Sequence, residues 1–105
     1  MNEMKTITII GAGMMVKPMV DYFIEKENYR INLLDRFVDK AIGIKANRPE
    51  CEAIEWLNND TDLLDSVIER SDIVISMVPK PVHIVIATSC LKYKKSMVTA
   101  SYEVP

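Results

Sequence analysis

Residues 5–13 read KTITIIGAG, and this stretch decides the fold. Every position from Thr6 to Ile10 is β-branched, which suits an extended backbone better than a helix. The run does not alternate with charged residues, so it predicts a strand covered on both faces, as in a parallel sheet. Gly11 stops it. A G-x-G turn signals dinucleotide binding when it joins a strand to a helix, and the flanking sequence here supplies both. Gly11 permits the tight turn, and Gly13 lets a pyrophosphate approach the backbone. Free N–H groups at the start of the following helix, reinforced by its dipole, then meet the phosphate charge.

On the carboxyl side, Val16, Met19, Val20, Phe23 and Ile24 recur at helical spacing and predict a first helix over 15–26. Val16 stands where the usual pattern has a third glycine, which predicts a helix set slightly away from the first strand. Pro18 lacks the N–H that would bond the Met14 carbonyl, so regular helix is expected to begin near Met15 or later. Residues 30–34 (RINLL) form a second strand closed by Asp35. A weaker helix over about 38–46 is stopped by Asn47 and Pro49, and residues 52–57 (EAIEWL) give a third strand. Asn58-Asn59-Asp60-Thr61 is a loop with capping side chains, followed by a helix marked by Leu63, Leu64, Val67 and Ile68. Residues 72–78 (DIVISMV) form the clearest buried strand. Pro79-Lys80-Pro81 breaks it, and Pro81 suits the first turn of a fourth helix running through Val85, Ile86 and Leu91. Residues 96–99 (SMVT) form a last short strand.

This alternation predicts an α/β fold: a Rossmann-type doubly wound parallel sheet of five strands in order 3-2-1-4-5, with helices on both faces. Ligands of such sheets bind beyond the carboxyl ends of the strands, where the order reverses between strands 1 and 4. That gathers Gly11, Asp35, Leu57-Asn58, Val78-Pro79 and Ser101-Tyr102 around one site. A carboxylate at Asp35 accepts hydrogen bonds from ribose hydroxyls and repels a 2′-phosphate, so NAD is the preferred cofactor. Arg36, placed to stack on adenine or pair with a 2′-phosphate, keeps NADP as the second candidate.

The chain has 105 residues, 49% of them apolar and 27% charged, an ordinary balance for one globular domain. That is short for a complete dehydrogenase. Residues 1–105 are therefore expected to be an NAD(P)-binding Rossmann domain, with the substrate domain absent. The formal net charge of −2 gives no electrostatic reason to expect nucleic acid or an anionic membrane as partner. The lysines Lys92, Lys94 and Lys95 read as cations closing a helix C-terminus. No apolar stretch approaches the roughly 20 residues of a membrane span, the N-terminus does not read as a signal peptide, and a cytoplasmic location is expected. Cys51 and Cys90 read as reduced thiols, and with one histidine they make a metal site unpromising. His83, the lone histidine, sits just inside the fourth helix. A structural role or a contact to substrate is favoured there over acid–base catalysis. A chain ending just past its fifth strand leaves a sheet edge open, which predicts self-association through that edge.

Three segments together resemble the saccharopine dehydrogenase/reductase family of lysine metabolism. They are Gly11-Ala12-Gly13 continuing to Lys17-Pro18 and Asp21-Tyr22, the run Asp72-Ile73-Val74-Ile75-Ser76 with Pro79 and His83, and Met97-Val98-Thr99-Ala100-Ser101-Tyr102. The resemblance covers nearly the whole chain. It implies an oxidoreductase that moves a hydride between NAD(P) and the secondary amine of saccharopine or a similar amino acid, with a second domain supplying most of the substrate pocket. By match to the family pattern, Ser101 and Tyr102 contact substrate, while Gly13, Met14, Met15 and the Asp35-Arg36 pair contact the cofactor.

This chain departs from the family at three points. Many NADP-using members carry a small neutral residue where Asp35 stands. Leu57 replaces a family aspartate, which leaves Asn58 for the adenine edge, and Lys80-Pro81 replaces a Tyr-Thr pair. The alternative of a different class is a non-catalytic NAD(H)-binding sensor. Ser101-Tyr102 at the nicotinamide end favours the enzyme, since a sensor does not need them.

Overall fold

A computed structural model describes residues 4–99 and places nine elements in strict alternation: β1 (Thr6–Ile10), α1 (Val16–Glu25), β2 (Arg30–Asp35), α2 (Val38–Lys45), β3 (Cys51–Glu55), α3 (Thr61–Glu69), β4 (Ile73–Ser76), α4 (Lys80–Lys92) and β5 (Ser96–Thr99). All strand pairs are parallel, in the order β3-β2-β1-β4-β5. The expected Rossmann-type sheet is the one observed. β1 is central, with Ile9 opposite Leu33 on one side and Ile75 on the other.

The period of two in β1 sends its side chains to two separate cores. Ile7 and Ile9 pack with Val16, Val20 and Ile24 of α1 and Ala41 and Ile44 of α2. Ile10 packs on the opposite face with Leu64, Val67 and Ile68 of α3 and Ile86 and Cys90 of α4. Two helices on each face hide a run that a one-sided sheet would leave half wet. Thr8 is buried as well, and the Thr8 and Ser71 hydroxyls bond each other while Ser71 Oγ donates to the Val67 carbonyl at 2.7 Å. No polar atom of that pair is stranded.

Local chemistry sets the boundaries. α1 begins at Val16, so Pro18 falls in its first turn, where its missing N–H removes no regular helix bond. Val16, in the third-glycine position, is fully buried in the α1 core. Asp60 caps α3, accepting from Leu63 N–H at 3.1 Å, and Pro81 lies in the first turn of α4. β3 runs from Cys51, earlier than its apolar pattern suggests. Its register is set by Ile31 opposite Cys51, and Trp56 beyond it is a core residue rather than a strand residue. β4 ends at Ser76, the residue opposite Thr99, before Met77 and Val78. Leu91, named with Val85 and Ile86 as marking the fourth helix, does lie in α4 and is 80% exposed; Cys90 takes the inward place. Among the described residues no helix is long and apolar enough to cross a membrane.

Two carboxylates tie elements together. Asp21 on α1 pairs with Lys17 at 2.8 Å and reaches Arg48 at 2.7 Å. Asp65 on α3 accepts from Ser89 at 2.6 Å and Lys92 at 3.1 Å, both on α4. The Lys17 hydrogen bond is the largest cause holding the Asp21 pKa below its usual range, and the Ser89 hydroxyl does the same for Asp65. A depressed carboxylate contributes stability that is present above its unfolded value and lost as pH falls through the folded one. Urea midpoints should therefore drop below about pH 4, the usual carboxylate range. An Asp21→Asn/Asp65→Asn variant should begin less stable at neutral pH and lose less on acidification. Parallel curves for the two proteins would show that neither pair contributes.

Candidate functional site

The crevice lies at the carboxyl end of the sheet, where β1 parts from β2 and β4. It has a volume of about 410 Å³ and is lined by Ile10, Gly11, Ala12, Gly13, Leu34, Asp35, Arg36, Phe37, Lys40, Trp56, Asn58, Met77, Val78, Pro79 and Val82. Seven cofactor residues expected from sequence are thus brought together: Gly11, Gly13, Asp35, Arg36, Asn58, Val78 and Pro79. Met14 and Met15 lie outside the lining, 96% and 60% exposed at the entry to α1. Ser101 and Tyr102, the substrate candidates, lie outside the described residues.

The two glycines do different work. Gly11 has φ +106°, and a Cβ there would stand 2.8 Å from the Met77 carbonyl oxygen. It is needed because the chain leaving β4 at Met77 passes directly beside the turn. A Cβ at Gly13 would meet nothing within 4 Å. Among the described residues no neighbour requires glycine at 13, and Gly13 lines the crevice.

Beyond Gly13 the chain turns once, with Val16 N–H donating to the Gly13 carbonyl at 3.0 Å, and enters α1. The first turn of α1 carries no acidic residue and no side-chain cap. Its positive dipole end is left for an anion, as a pyrophosphate requires.

Asp35 is held from two sides. Ala12 N–H donates to Oδ2 at 2.6 Å and Phe37 N–H to Oδ1 at 2.7 Å. Trp56 N–H reaches the Asp35 carbonyl at 3.0 Å, so β3 leaves the sheet against the same residue. Arg36 lies 5.0 Å and Lys40 5.4 Å from the centre of the Phe37 ring. One end of the crevice therefore carries a fixed carboxylate, two cations and an aromatic ring that is 55% exposed. The floor at this end is Trp56, which is 2% exposed and donates through Nε1 to the Asp60 carbonyl at 3.0 Å.

Lys40, Phe37 and Trp56 are crevice residues that the sequence reading did not single out. Phe37 carried a usable signal, an apolar ring beside Arg36 at the start of a helix. Lys40 looked like any exposed helical lysine, and Trp56 was absorbed into a strand.

At the other end, the Ser76 hydroxyl lies 2.5 Å from His83 Nδ1. His83 Nε2 is buried with no partner among the described residues, and His83 does not line the crevice. Lys92, one of the lysines assigned to a helix end, does lie in the last turn of α4, where it pairs with Asp65.

Residues 7–105 match the family described as the saccharopine dehydrogenase NADP binding domain. Alpha-aminoadipic semialdehyde synthase, mitochondrial, from Rattus norvegicus is 29% identical over 105 residues, covering all of this chain and 11% of the relative. A saccharopine dehydrogenase [NADP(+), L-glutamate-forming] from Schizosaccharomyces pombe is 26% identical over 102 residues, covering 97% of this chain and 23% of the relative. Apo saccharopine dehydrogenase (L-Glu forming) from Saccharomyces cerevisiae superposes with a TM-score of 0.82 at 26% identity, over 96% of this chain and 22% of that one. The chain spans less than a quarter of the length of these proteins.

Proposed function

The chain belongs to the saccharopine dehydrogenase NADP binding domain family, and from that membership we propose that it is the cofactor-binding part of an oxidoreductase acting on saccharopine or a similar amino acid. The observation that carries this reading is the open Gly13 face at the start of α1, where no side chain competes for the space. Gly11–Gly13 would hold the pyrophosphate, Asp35 and Asn58 the adenosine end, and Val78 and Pro79 the nicotinamide end. When bound, the dinucleotide supplies or accepts the hydride. The residues of this chain bind and orient it. Gly13, Met14 and Met15 present backbone N–H groups to phosphate, Asp35 accepts from the ribose hydroxyls, and Arg36 covers the adenine.

Substrate contact is assigned to Ser101 and Tyr102 on the family pattern. Positioning for hydride transfer is worth roughly 7–11 kcal/mol and needs walls on both sides of the nicotinamide. The 105 residues by themselves are therefore proposed to bind cofactor without turning saccharopine over, the amino acid being held chiefly by a second domain. A cytoplasmic, reducing location fits the two free, buried cysteines. The edge of β5, where Val98 is 54% exposed, is the surface through which self-association is proposed.

The two cofactors differ by one phosphate, and Asp35 decides between them. Its carboxylate is pinned by two backbone N–H groups, so it cannot swing aside to admit a 2′-phosphate. NAD(H) is accordingly proposed as the preferred ligand within a family described as NADP-binding. Calorimetric titration with NADH and NADPH should give the tighter constant for NADH, and Asp35→Ser should narrow the ratio. Tighter NADPH binding by the wild type would assign the decision to Arg36 and Lys40. Binding of neither would remove the cofactor reading altogether.

A further inference from the structure

A carboxylate that only discriminates between riboses would be expected to project into the crevice with its oxygens open. Asp35 does not. Each oxygen already accepts a backbone N–H, from Ala12 at 2.6 Å and from Phe37 at 2.7 Å. Ala12 lies between the two glycines, where the chain is least constrained by side chains. Its methyl group is buried, and its N–H has no other acceptor among the described residues. The residue before it is tied to the same strand, Gly11 N–H donating to the Leu34 carbonyl at 2.7 Å. Consecutive amides of the turn are thus stitched to consecutive residues at the end of β2, and the second stitch is a side chain.

We propose that Asp35 is a positioning residue for the pyrophosphate turn: its carboxylate clamps Ala12 N–H and so sets the backbone that Gly13 presents to phosphate. The proposal rests on the cofactor reading above and adds a second duty to the same side chain. A carboxylate oxygen has more than one lone pair, so Oδ2 can hold Ala12 and still accept a ribose hydroxyl. The bond to a charged acceptor is also of the stronger kind. Replacing Asp35 to admit a 2′-phosphate then has a side effect on binding of either dinucleotide. The turn loses its clamp, and a half-buried N–H loses its acceptor.

Asparagine is the discriminating replacement, since it keeps the shape and offers one oxygen in place of two. Its NH₂ must face either Ala12 N–H or Phe37 N–H, donor against donor. The test is amide hydrogen exchange in the ligand-free, ¹⁵N-labelled chain, comparing wild type, Asp35→Asn and Asp35→Ser, with Leu33 in β2 as the internal control. Ala12 should exchange at least tenfold faster in Asp35→Ser, and in Asp35→Asn whichever of Ala12 and Phe37 meets the NH₂ should do so, while Leu33 is unchanged. Both NADH and NADPH should bind Asp35→Asn several-fold more weakly than they bind the wild type.

Unchanged exchange at Ala12 in Asp35→Ser, or NADPH binding that tightens as NADH weakens, would overturn the clamp and leave Asp35 with the ribose alone. If Asp35→Ser does not fold, as judged by loss of Leu33 protection, Asp35→Leu, which keeps the shape and offers no acceptor, is read at Ala12 in its place. If the wild type binds neither dinucleotide, the cofactor reading fails by itself, and the exchange at Ala12 still judges the clamp.

Discussion

Alanine at Gly11 should destabilise the chain by about 3 kcal/mol, combining a left-handed backbone penalty of roughly 1–2 kcal/mol with overpacking of similar size. The φ of +106° is strained for an L side chain, and the added Cβ would lie 2.8 Å from the Met77 carbonyl oxygen and 3.1 Å from its carbon. Both neighbours are backbone, so no rotamer change relieves the contact. Met77 cannot retreat cheaply, because its N–H donates to the Ile10 carbonyl at 2.8 Å and holds β4 against β1. A domain of this size loses roughly 4–8 °C per kcal/mol, so thermal unfolding should fall by about 15 °C. A melting temperature within a few degrees of wild type would mean that the turn relaxes, and that Gly11 is not fixed by its neighbour.

Gly13→Ala should give the opposite profile. With nothing within 4 Å of the new methyl group, urea unfolding should match wild type within about 0.5 kcal/mol, as for a surface change. Dinucleotide affinity should nonetheless fall about 100-fold, the roughly 3 kcal/mol of one or two hydrogen bonds to a charged group. On the proposed reading, the methyl would occupy the space through which the pyrophosphate reaches the backbone. Titration of the variant with NADH measures this directly. Wild-type affinity in a folded Gly13→Ala chain would show that the phosphate does not lie on this turn. The pair of variants separates what the fold needs from what the ligand needs, two demands that the motif G-x-G runs together.

Much of this was legible from residue order alone. β1 is continuously β-branched, β4 carries an unbroken apolar run and the breakers fall at regular places, so alternation, parallel pairing and strand order followed from local pattern plus crossover handedness. The end of β3 was not legible. Trp56 suits a strand by composition, but the parallel register opposite Ile31 stops the ladder at Glu55, and burial of the indole against α3 claims the next residue. Leu91 fits the spacing of α4, yet that helix is apolar on nearly every side, so periodicity could not choose its inward face.

The site divides the same way. Gly11, Gly13 and Asp35 announce themselves by type and position. The contact between Asp35 and Ala12 joins residues far apart in sequence, and no spacing rule reports that a carboxylate expected to face a ribose also accepts a backbone N–H of the glycine turn. The gathering of Arg36, Phe37 and Lys40 into one cluster likewise depends on how α2 leaves the strand.

Trp56 is the sole tryptophan of the chain, buried in the floor of the crevice with its indole N–H fixed on a backbone carbonyl. An indole so placed is an optical instrument. Its emission is set by an apolar surrounding and overlaps the absorption of reduced nicotinamide, so a bound NADH would quench it by energy transfer. The oxidised form, which lacks that absorption band, does not quench by this route. The redox state of a bound cofactor could therefore be followed in unlabelled protein, from a single emitting residue that lines the crevice.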